Sequence, residues 1–587
     1  MSDLFKTVLV KDSIIGDITS DMDYAVQSGA SQTTYQPFPA TSASNSALIF
    51  NVQVPSENVV LGRDILISTG ITFTLTAGGV IAGDPAIDLG NTDALQAFPF
   101  NSLLNTATAQ INNTTVSINT QDVLPSILRM NNSRELYRYN SMTPSLPDQA
   151  YAQYADAIGT NNNPLASYST ASYDLDQVPR GAFPLDVVSV VHTITAGGTD
   201  ASLISTNVND TWVIVLQTYV AEPLFLSPFI WGNPEFNSQG LLGINNISFT
   251  FNIDATAKRL FSSSSGYITG ISLGQSGNNN AFTSSGTIGV RPVPTNPAVL
   301  MRFLSTQPSD LIQTKNIVPY IDYPRYLTVS GNNPPMNAGA TATLTSSNLQ
   351  INQIPDLFLI TIRKPMSLQT FDDSMSQFII NSVSINLNNQ SGLLSSASQY
   401  DLWRMSSRNG SAQSFVEFGG QALVNVPATG AGAIVFTTGS VLVINPAYDL
   451  SLPDYITCGS LGNYNFQFSV SVTNQFATQI QPEICVVCVN SGIFTTQQGV
   501  SAVYTGILTK EMVLATKSSR QVGAFTSQEV SRMVGGKMLN RCASAMKGMG
   551  RSKMGMHGGD TSGGVMSAGA MSAGVHSGGK SRLSKHY

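Results

Sequence analysis

Charge is what this chain has least of. Only 11% of its 587 residues are Asp, Glu, Lys or Arg, where a soluble chain ordinarily carries about 25%. It has four Cys, three Trp and four His, and His192 is the one His before residue 557. Each scarcity excludes something. Four unpatterned Cys make no disulfide framework and fit a reducing compartment. No apolar run approaches the roughly 18 residues of a transmembrane helix. The start, MSDLFKTVLVKDSIIGD, carries acids and lacks the basic, apolar, small-residue order of a signal peptide, so none is expected. There is no Gly-x-Ser-x-Gly elbow, no Gly-x4-Gly-Lys-Ser/Thr loop, no His-x-x-x-His spacing and no calcium-loop pattern. Catalysis has little to work with.

What is present is apolar residues at 42%, enough for a sizeable core and too many for a wholly disordered chain. The polar remainder is rich in Ser, Thr, Asn and Gln. The length fits about four ordinary domains or two large β units. Short runs with period-two alternation and β-branched enrichment succeed one another between Gly-, Pro- and Asn-rich turns. They are Leu48–Val54, Ile65–Leu75, Thr211–Val220, Ile247–Ile253, Leu357–Ile362, Phe378–Ile385, Ser440–Ile444 and Phe466–Val472. The pattern predicts an all-β chain of sandwich or barrel type. His192 lies on such a run and reads as structural. Cys485 and Cys488 are three apart, which on a strand turns them to opposite faces, so they read as core residues. Asn112-Asn-Thr and Asn131-Asn-Ser have the glycosylation pattern but read as turn chemistry.

The few charges are segregated. Residues 511–587 hold eleven Lys/Arg against three acids, a net of +8; the other 510 residues hold eighteen against thirty-two, a net of −14. Nine of the eighteen Met and three of the four His also lie in that tail. Such a division points to two environments for one polypeptide. Thr526-Ser-Gln-Glu529 has the form of a capping box, followed by an apolar stripe interleaved with Arg532, Lys537, Arg541 and Lys547. A short basic amphipathic helix there could touch lipid, nucleic acid or the inside of a shell, or pack under the β body.

The chain also repeats itself. Ile111–Asn119, ending in Ser126–Met130, aligns with Asn386–Leu394, ending in Asp401–Met405, at a constant offset of 275 that pairs Asn113 with Asn388 and Arg129 with Arg404. Further on, Gly243–Phe251 aligns with Gly462–Val470, each preceded by a Leu-x-Leu and a Pro, in Glu222–Pro228 and Asp449–Pro453. Two related units are expected. Between these landmarks the first unit is about 56 residues longer, and the excess falls in 131–185, a Tyr-, Asn-, Ser- and Pro-rich stretch. A loop of that length belongs on the surface.

Three phrases carry a family likeness: Val52-Gln-Val-Pro-Ser-Glu-Asn-Val-Val-Leu-Gly-Arg63, Ala221-Glu-Pro-Leu-Phe-Leu-Ser-Pro-Phe229 with Gly240-Leu-Leu-Gly-Ile-Asn-Asn246, and Gln399-Tyr-Asp-Leu-Trp-Arg404. With the tandem units, they resemble the double jelly-roll major capsid proteins of adenovirus-like, Polinton-like and virophage-like DNA viruses. The resemblance implies an all-β fold of two tandem jelly-roll sandwiches. It divides the chain into an N-terminal arm (1–45), a first roll (46–300) with an inserted tower loop (131–185), a second roll (301–516) and a flexible basic Gly/Met/Ser-rich tail (517–587). It implies a hexon-like homotrimer, pseudo-hexagonal because three copies of two rolls make six, tiling an icosahedral virion shell. The implied partners are further copies of the chain, penton and minor capsid proteins, the genome or an inner membrane through the tail, and a host receptor through the tower. No enzymatic activity, catalytic residue, metal or cofactor is expected. The tail residues expected to face genome or membrane are Arg532, Lys537, Arg541, Lys547, Arg551, Lys553, Lys580, Arg582 and Lys585.

The tail also holds Met533-Val-Gly-Gly, Met556-His-Gly-Gly, Met566-Ser-Ala-Gly and Met571-Ser-Ala-Gly, similar to sites cut by the maturation proteases of adenovirus-like viruses. Glycine gives such a protease a thin, extended backbone, so cleavage is expected after Gly536, Gly559, Gly569 or Gly574. The same residues also read as plain low complexity. Three other functions compete with the shell reading. A small RNA-virus capsid, one jelly roll plus a protruding domain, would not show an internal repeat. A viral fibre or adhesin would never form shells, and a β-rich glycosidase would need two facing carboxylates.

Overall fold

The computed structural model describes residues 32–506 apart from 230–239, 306–314, several shorter stretches, and 132–184, in which Leu136, Thr143, Pro144, Ser145 and Pro147 alone are described. The first unit contains β1 (Gln32–Pro39), β2 (Ala47–Gln53), β3 (Leu66–Gly78), α1 (Pro99–Leu103), β4 (Leu104–Ile111), β5 (Thr114–Ile118), α2 (Thr120–Ile127), β6 (Leu185–Thr193), β7 (Thr211–Pro223), β8 (Asn246–Ile253) and β9 (Ala298–Ser305). The second contains β10 (Lys315–Asp322), β11 (Arg325–Thr328), β12 (Thr341–Thr345), β13 (Leu349–Gln353), β14 (Leu357–Arg363), β15 (Ile379–Leu387), β16 (Gln390–Leu393), α3 (Gln399–Arg408), α4 (Phe415–Phe418), β17 (Val441–Ile444), β18 (Leu461–Thr473), β19 (Glu483–Gln497) and β20 (Val500–Thr505).

The sheets have one plan. In the first unit the orders are β1-β9-β3-β7-β6 and β2-β8-β4-β5; in the second, β10-β19-β14-β17 and β12-β18-β15-β16. Setting aside β6 in the first unit and β11, β13 and β20 in the second, each unit counted along the chain pairs its strands first-eighth-third-sixth and second-seventh-fourth-fifth, the antiparallel arrangement of a jelly roll. The alternation that marks the strands is the alternation that fills the sandwich. In β2, Leu48, Phe50 and Val52 turn inward, and in β18 Phe466, Phe468, Val470 and Val472 do the same. Inward aromatic rings pack against one another, Phe50 and Phe251 on neighbouring strands of one sheet in the first roll, and Phe358 against Phe466 across the two sheets of the second.

The structure moves three features of the sequence reading. β1 falls in the segment read as an arm, yet it pairs with β9 from Gln32↔Ser305 to Pro39↔Ala298. Two prolines and no apolar alternation hid it, and both are tolerated because β1 is an edge strand. β9 also runs past the boundary read at 300, and paired strands end the first roll at Ser305. The repeat register slips by one. The left-handed turn residues are Asn112 (φ 52°) and Asn388 (φ 51°), whose side-chain oxygens accept from Asn245 N–H and Asn465 N–H, each at 2.8 Å. Asn112, not Asn113, is therefore the counterpart of Asn388.

The ends of the long insertion belong to the body. Leu136, Thr143 and Ser145 are buried, and the N–H of Phe98 donates to Pro144 O at 2.7 Å. At its far end, β6 joins the sheet beside β7. The part of the expected tower in 148–184 lies outside the described residues.

Candidate functional site

The two rolls meet along a buried seam. The sheet containing β14, β17 and β19 is apolar on both faces. Phe358, Ile360, Leu442, Val486 and Cys488 point into the second roll's own core, while Leu357, Leu359, Val443, Val487 and Val489 join the core of the first roll. All seven residues of β14 are buried as a result. A strand covered on both faces reads as a continuous apolar run, as LFLITI does.

Charges cross this seam at one place. Asp122, on α2 of the first roll, is 1% exposed and pairs with Arg363 and, at 2.7 Å, with Nε of Arg325, both from the second roll; Arg363 also reaches Glu483 at 2.7 Å. Nearby, Arg129 lies 3.7 Å from Glu417, and the N–H of Ala412 donates to Arg129 O at 2.7 Å. Buried ions need partners, and here each carboxylate has an arginine. The β19–β20 hairpin clips the other end. The N–H of Ser501 donates to Asn113 Oδ1 (2.8 Å), and the hydroxyl of Thr114 donates to Ser501 O (2.6 Å). The turn approaches so closely that a Cβ on Gly499 (φ +76°) would sit 2.4 Å from the Asn245 amide.

The end of the sixth strand differs between the rolls. In the first, Glu222 is fully buried and accepts from the backbone N–H groups of Phe100 (2.9 Å) and Asn101 (3.0 Å) and from the Asn101 side chain (2.8 Å). Burial, against those three donors, pushes its carboxyl up to about 7. In the second roll the sixth strand ends at Ile444, and the Asn445 that follows it, before Pro446, accepts from Ala447 N–H at 3.0 Å. Glu222 was invisible as a special residue in the sequence; its one signal was an acid inside an apolar run.

His192 is fully buried and stacks on Trp212 (4.4 Å, 4°), with Nδ1 2.7 Å from Asp200 and Nε2 3.2 Å from Asp210. Burial would raise the Asp210 carboxyl, but N–H and O–H donors from Thr195, Thr206 and Asn207 hold it well below the carboxylate range. Neither ring nitrogen is left to take a proton from a substrate, so the group braces the β6–β7 end of the sheet. Cys485 and Cys488 point to opposite faces of β19, and burial pushes the Cys485 thiol up to about 11. Among the described residues no three His, Cys, Asp or Glu are grouped to hold a metal, and no helix is long and apolar enough to cross a membrane. The basic tail positions Arg532 to Lys585, the capping box at Thr526–Glu529, and the cleavage positions Gly536, Gly559, Gly569 and Gly574 all lie outside the described residues.

Comparison with known proteins gives the fold its family. A family model described as Sputnik virophage major capsid protein 1st domain matches residues 2–304, and one described as major capsid protein V20 C-terminal domain matches 323–492. The chain is 28% identical over 533 residues to the putative capsid protein V20 of Sputnik virophage, covering 89% of this chain and 82% of that protein. Among solved structures it resembles a chain of the Sputnik virophage particle (TM-score 0.70, 24% identity, 88% of this chain and 96% of that one). It also resembles the mavirus major capsid protein (TM-score 0.60, 15% identity, 90% and 100%). The fibre, single-roll RNA-virus and glycosidase readings give way to these matches. The chain belongs to the Sputnik virophage major capsid protein family: it is a structural protein of the virion shell, it assembles with its own kind, and it is not an enzyme.

Proposed function

We propose that three copies close into a pseudo-hexagonal trimer, and that these trimers tile an icosahedral shell together with penton and minor capsid proteins. The observation that carries this is the pair of rolls with one strand plan locked by a buried seam. A rigid two-roll block repeated three times presents six similar edges, and a head-to-tail contact of this kind closes into a ring when the rotation fits. Negative-stain microscopy of the purified full-length protein is expected to show hexagonal particles of three chains; a compact monomer sinks the reading.

Residues 148–184 are the outward tower in this reading, and a host receptor would meet the shell there. The basic tail faces the lumen, where about eight net positive charges per subunit meet phosphate of the genome or of an inner membrane, a contact steeply weakened by salt. Removing 518–587 should leave trimers intact and lower the packaged genome, whereas normal packaging refutes the assignment. Intact mass of the virion subunit decides processing: loss of everything after Gly536, Gly559, Gly569 or Gly574 supports it, and full length through Tyr587 ends it.

A further inference from the structure

The two rolls use equivalent surfaces differently, and the difference names the surfaces through which copies meet. In the second roll the outer face of the first-strand sheet is covered by the first roll. Val318 and Tyr320 of β10 are buried, Ile321 N–H donates to Ser227 Oγ at 2.9 Å, and α2 lays Asp122 against Arg363 and Arg325. In the first roll no second roll covers the same sheet among the described residues. Its first strand, β1, is exposed at seven of eight positions, with Tyr35 75% exposed, and Phe38 is its one anchor, packed on Phe303. The surface that does the covering is equally one-sided. In the first roll α2, the helix that follows the fifth strand, is sealed in the seam. In the second roll the helix that follows the fifth strand is α3, and with α4 it carries an open aromatic cluster. Tyr400, Trp403 and Phe415 have ring centroids 5.3–5.7 Å apart, with Tyr400 51% and Phe415 38% exposed.

One donor face and one acceptor face are thus used up inside the chain, and one of each is left over. We propose that the α3–α4 face of one copy seats on the bare β1 side of the first roll of the next copy, repeating between chains the contact that α2 makes within one. The inference rests on the trimer reading. The chemistry of the leftover faces suits a contact made after folding. The intrachain seam is largely aliphatic, and the charges that cross it are paired with one another. The open faces mix Tyr, Trp and Phe with Thr33, Thr34, Gln36 and Arg404, the composition of interfaces between separately folded partners. Among the described residues β1 also leaves one edge unpaired in its sheet, a liability that a neighbouring chain would cover.

The test uses full-length protein carrying Tyr400→Glu with Phe415→Glu. Its sedimentation mass is expected to fall threefold from the wild-type trimer to a monomer, with the β-sheet circular dichroism unchanged. Amides of residues 32–39 are expected to exchange about tenfold more slowly in wild-type trimers than in the variant's monomers. A variant that stays trimeric, or a β1 that exchanges equally in both, overturns the inference while leaving the trimer standing; a monomeric wild type overturns both. Should the double variant aggregate, Tyr35→Cys with Tyr400→Cys and a flexible bismaleimide decides. Covalent trimers that need both cysteines support the inference, and none beyond the wild-type background overturns it.

Discussion

β14 and β3 are the same strand of the same fold, third in their rolls, yet they share little in pattern. All seven residues of β14 are buried. In β3, Ile67, Ile71, Phe73 and Leu75 face the core, while Ser68, Thr72, Thr74 and Thr76 face outward. The difference is the neighbour. β14 has its own roll on one side and the other roll on the other, so both faces became apolar. β3 has a core on one side and a polar cover on the other, where Ser68 (3% exposed) meets Tyr219 Oη through Oγ at 2.6 Å and Thr74 Oγ1 donates to Gly274 O. Strand pattern reports what a sheet touches more than which strand it is.

The largest effect expected from breaking this contrast is at the charged crossing. Asp122→Ala leaves buried Arg363 with Glu483 alone and takes the carboxylate from Arg325, which is 28% exposed; removing one partner of a buried pair costs at most about 3–5 kcal/mol. Asp64→Ala, which breaks the half-exposed pair with Arg302 on the first roll's outer sheet (3.0 Å), should cost no more than about 1 kcal/mol. Urea midpoints of the two variants measure the gap. Equal losses would mean that the seam is wet and the two rolls are not one block.

Next is a pH dependence set by Glu222 in the first roll. Glu222 titrates near 7 in the folded chain against 4.5 for the ordinary carboxyl. A raised pKa contributes stability that is full below about 4.5 and is lost as pH rises through about 7, in total on the order of 3 kcal/mol. The urea midpoint should therefore fall between pH 4.5 and 7 in the wild type, and that slope should be flattened in Glu222→Gln. Asn445→Asp, at the end of the second roll's sixth strand, adds a carboxyl beside Asp449, which accepts from the residue 445 N–H at 2.8 Å, and should change the slope there. An unchanged slope in Glu222→Gln would show that other groups set it.

These contrasts also show what could be read in the sequence. Every strand named from alternation is a strand here, because period-two burial is written residue by residue in runs such as Phe466–Val472. The double plan was legible from a repeated turn, although composition alone placed its register one residue off. β1 was missed because an edge strand with both faces wet has no alternation to read. The Asp122–Arg363–Arg325 crossing was missed for a different reason: Asp122 lies more than two hundred residues before either arginine, and only the docking of the rolls brings them together. The open aromatic face was in plain sight as Gln399-Tyr-Asp-Leu-Trp-Arg404, but whether a Trp on a helix is core or surface depends on which side the other roll sits.

The smallest effect sharpens the comparison most, since it varies the surroundings and keeps the turn. Asn112 and Asn388 hold the same left-handed backbone between the fourth and fifth strands of their rolls and accept from the same strand neighbour. Asn388 is exposed, whereas Asn112 is buried at the seam and its amide also donates to Gly243 O at 3.0 Å. Alanine in either place pays about 1 kcal/mol for the left-handed region, so Ala variants mix strain with lost hydrogen bonds. Glycine removes the strain, being at ease with positive φ. Asn388→Gly should then lie within about 0.5 kcal/mol of wild type, because water replaces the lost acceptor. Asn112→Gly should cost about 1 kcal/mol, because the buried Gly243 carbonyl loses the Asn112 amide and keeps only the Gly499 N–H at 3.2 Å. If the two glycine variants unfold at the same urea concentration, the seam adds nothing at this corner, and the β19–β20 clip holds by its own contacts at Ser501 alone.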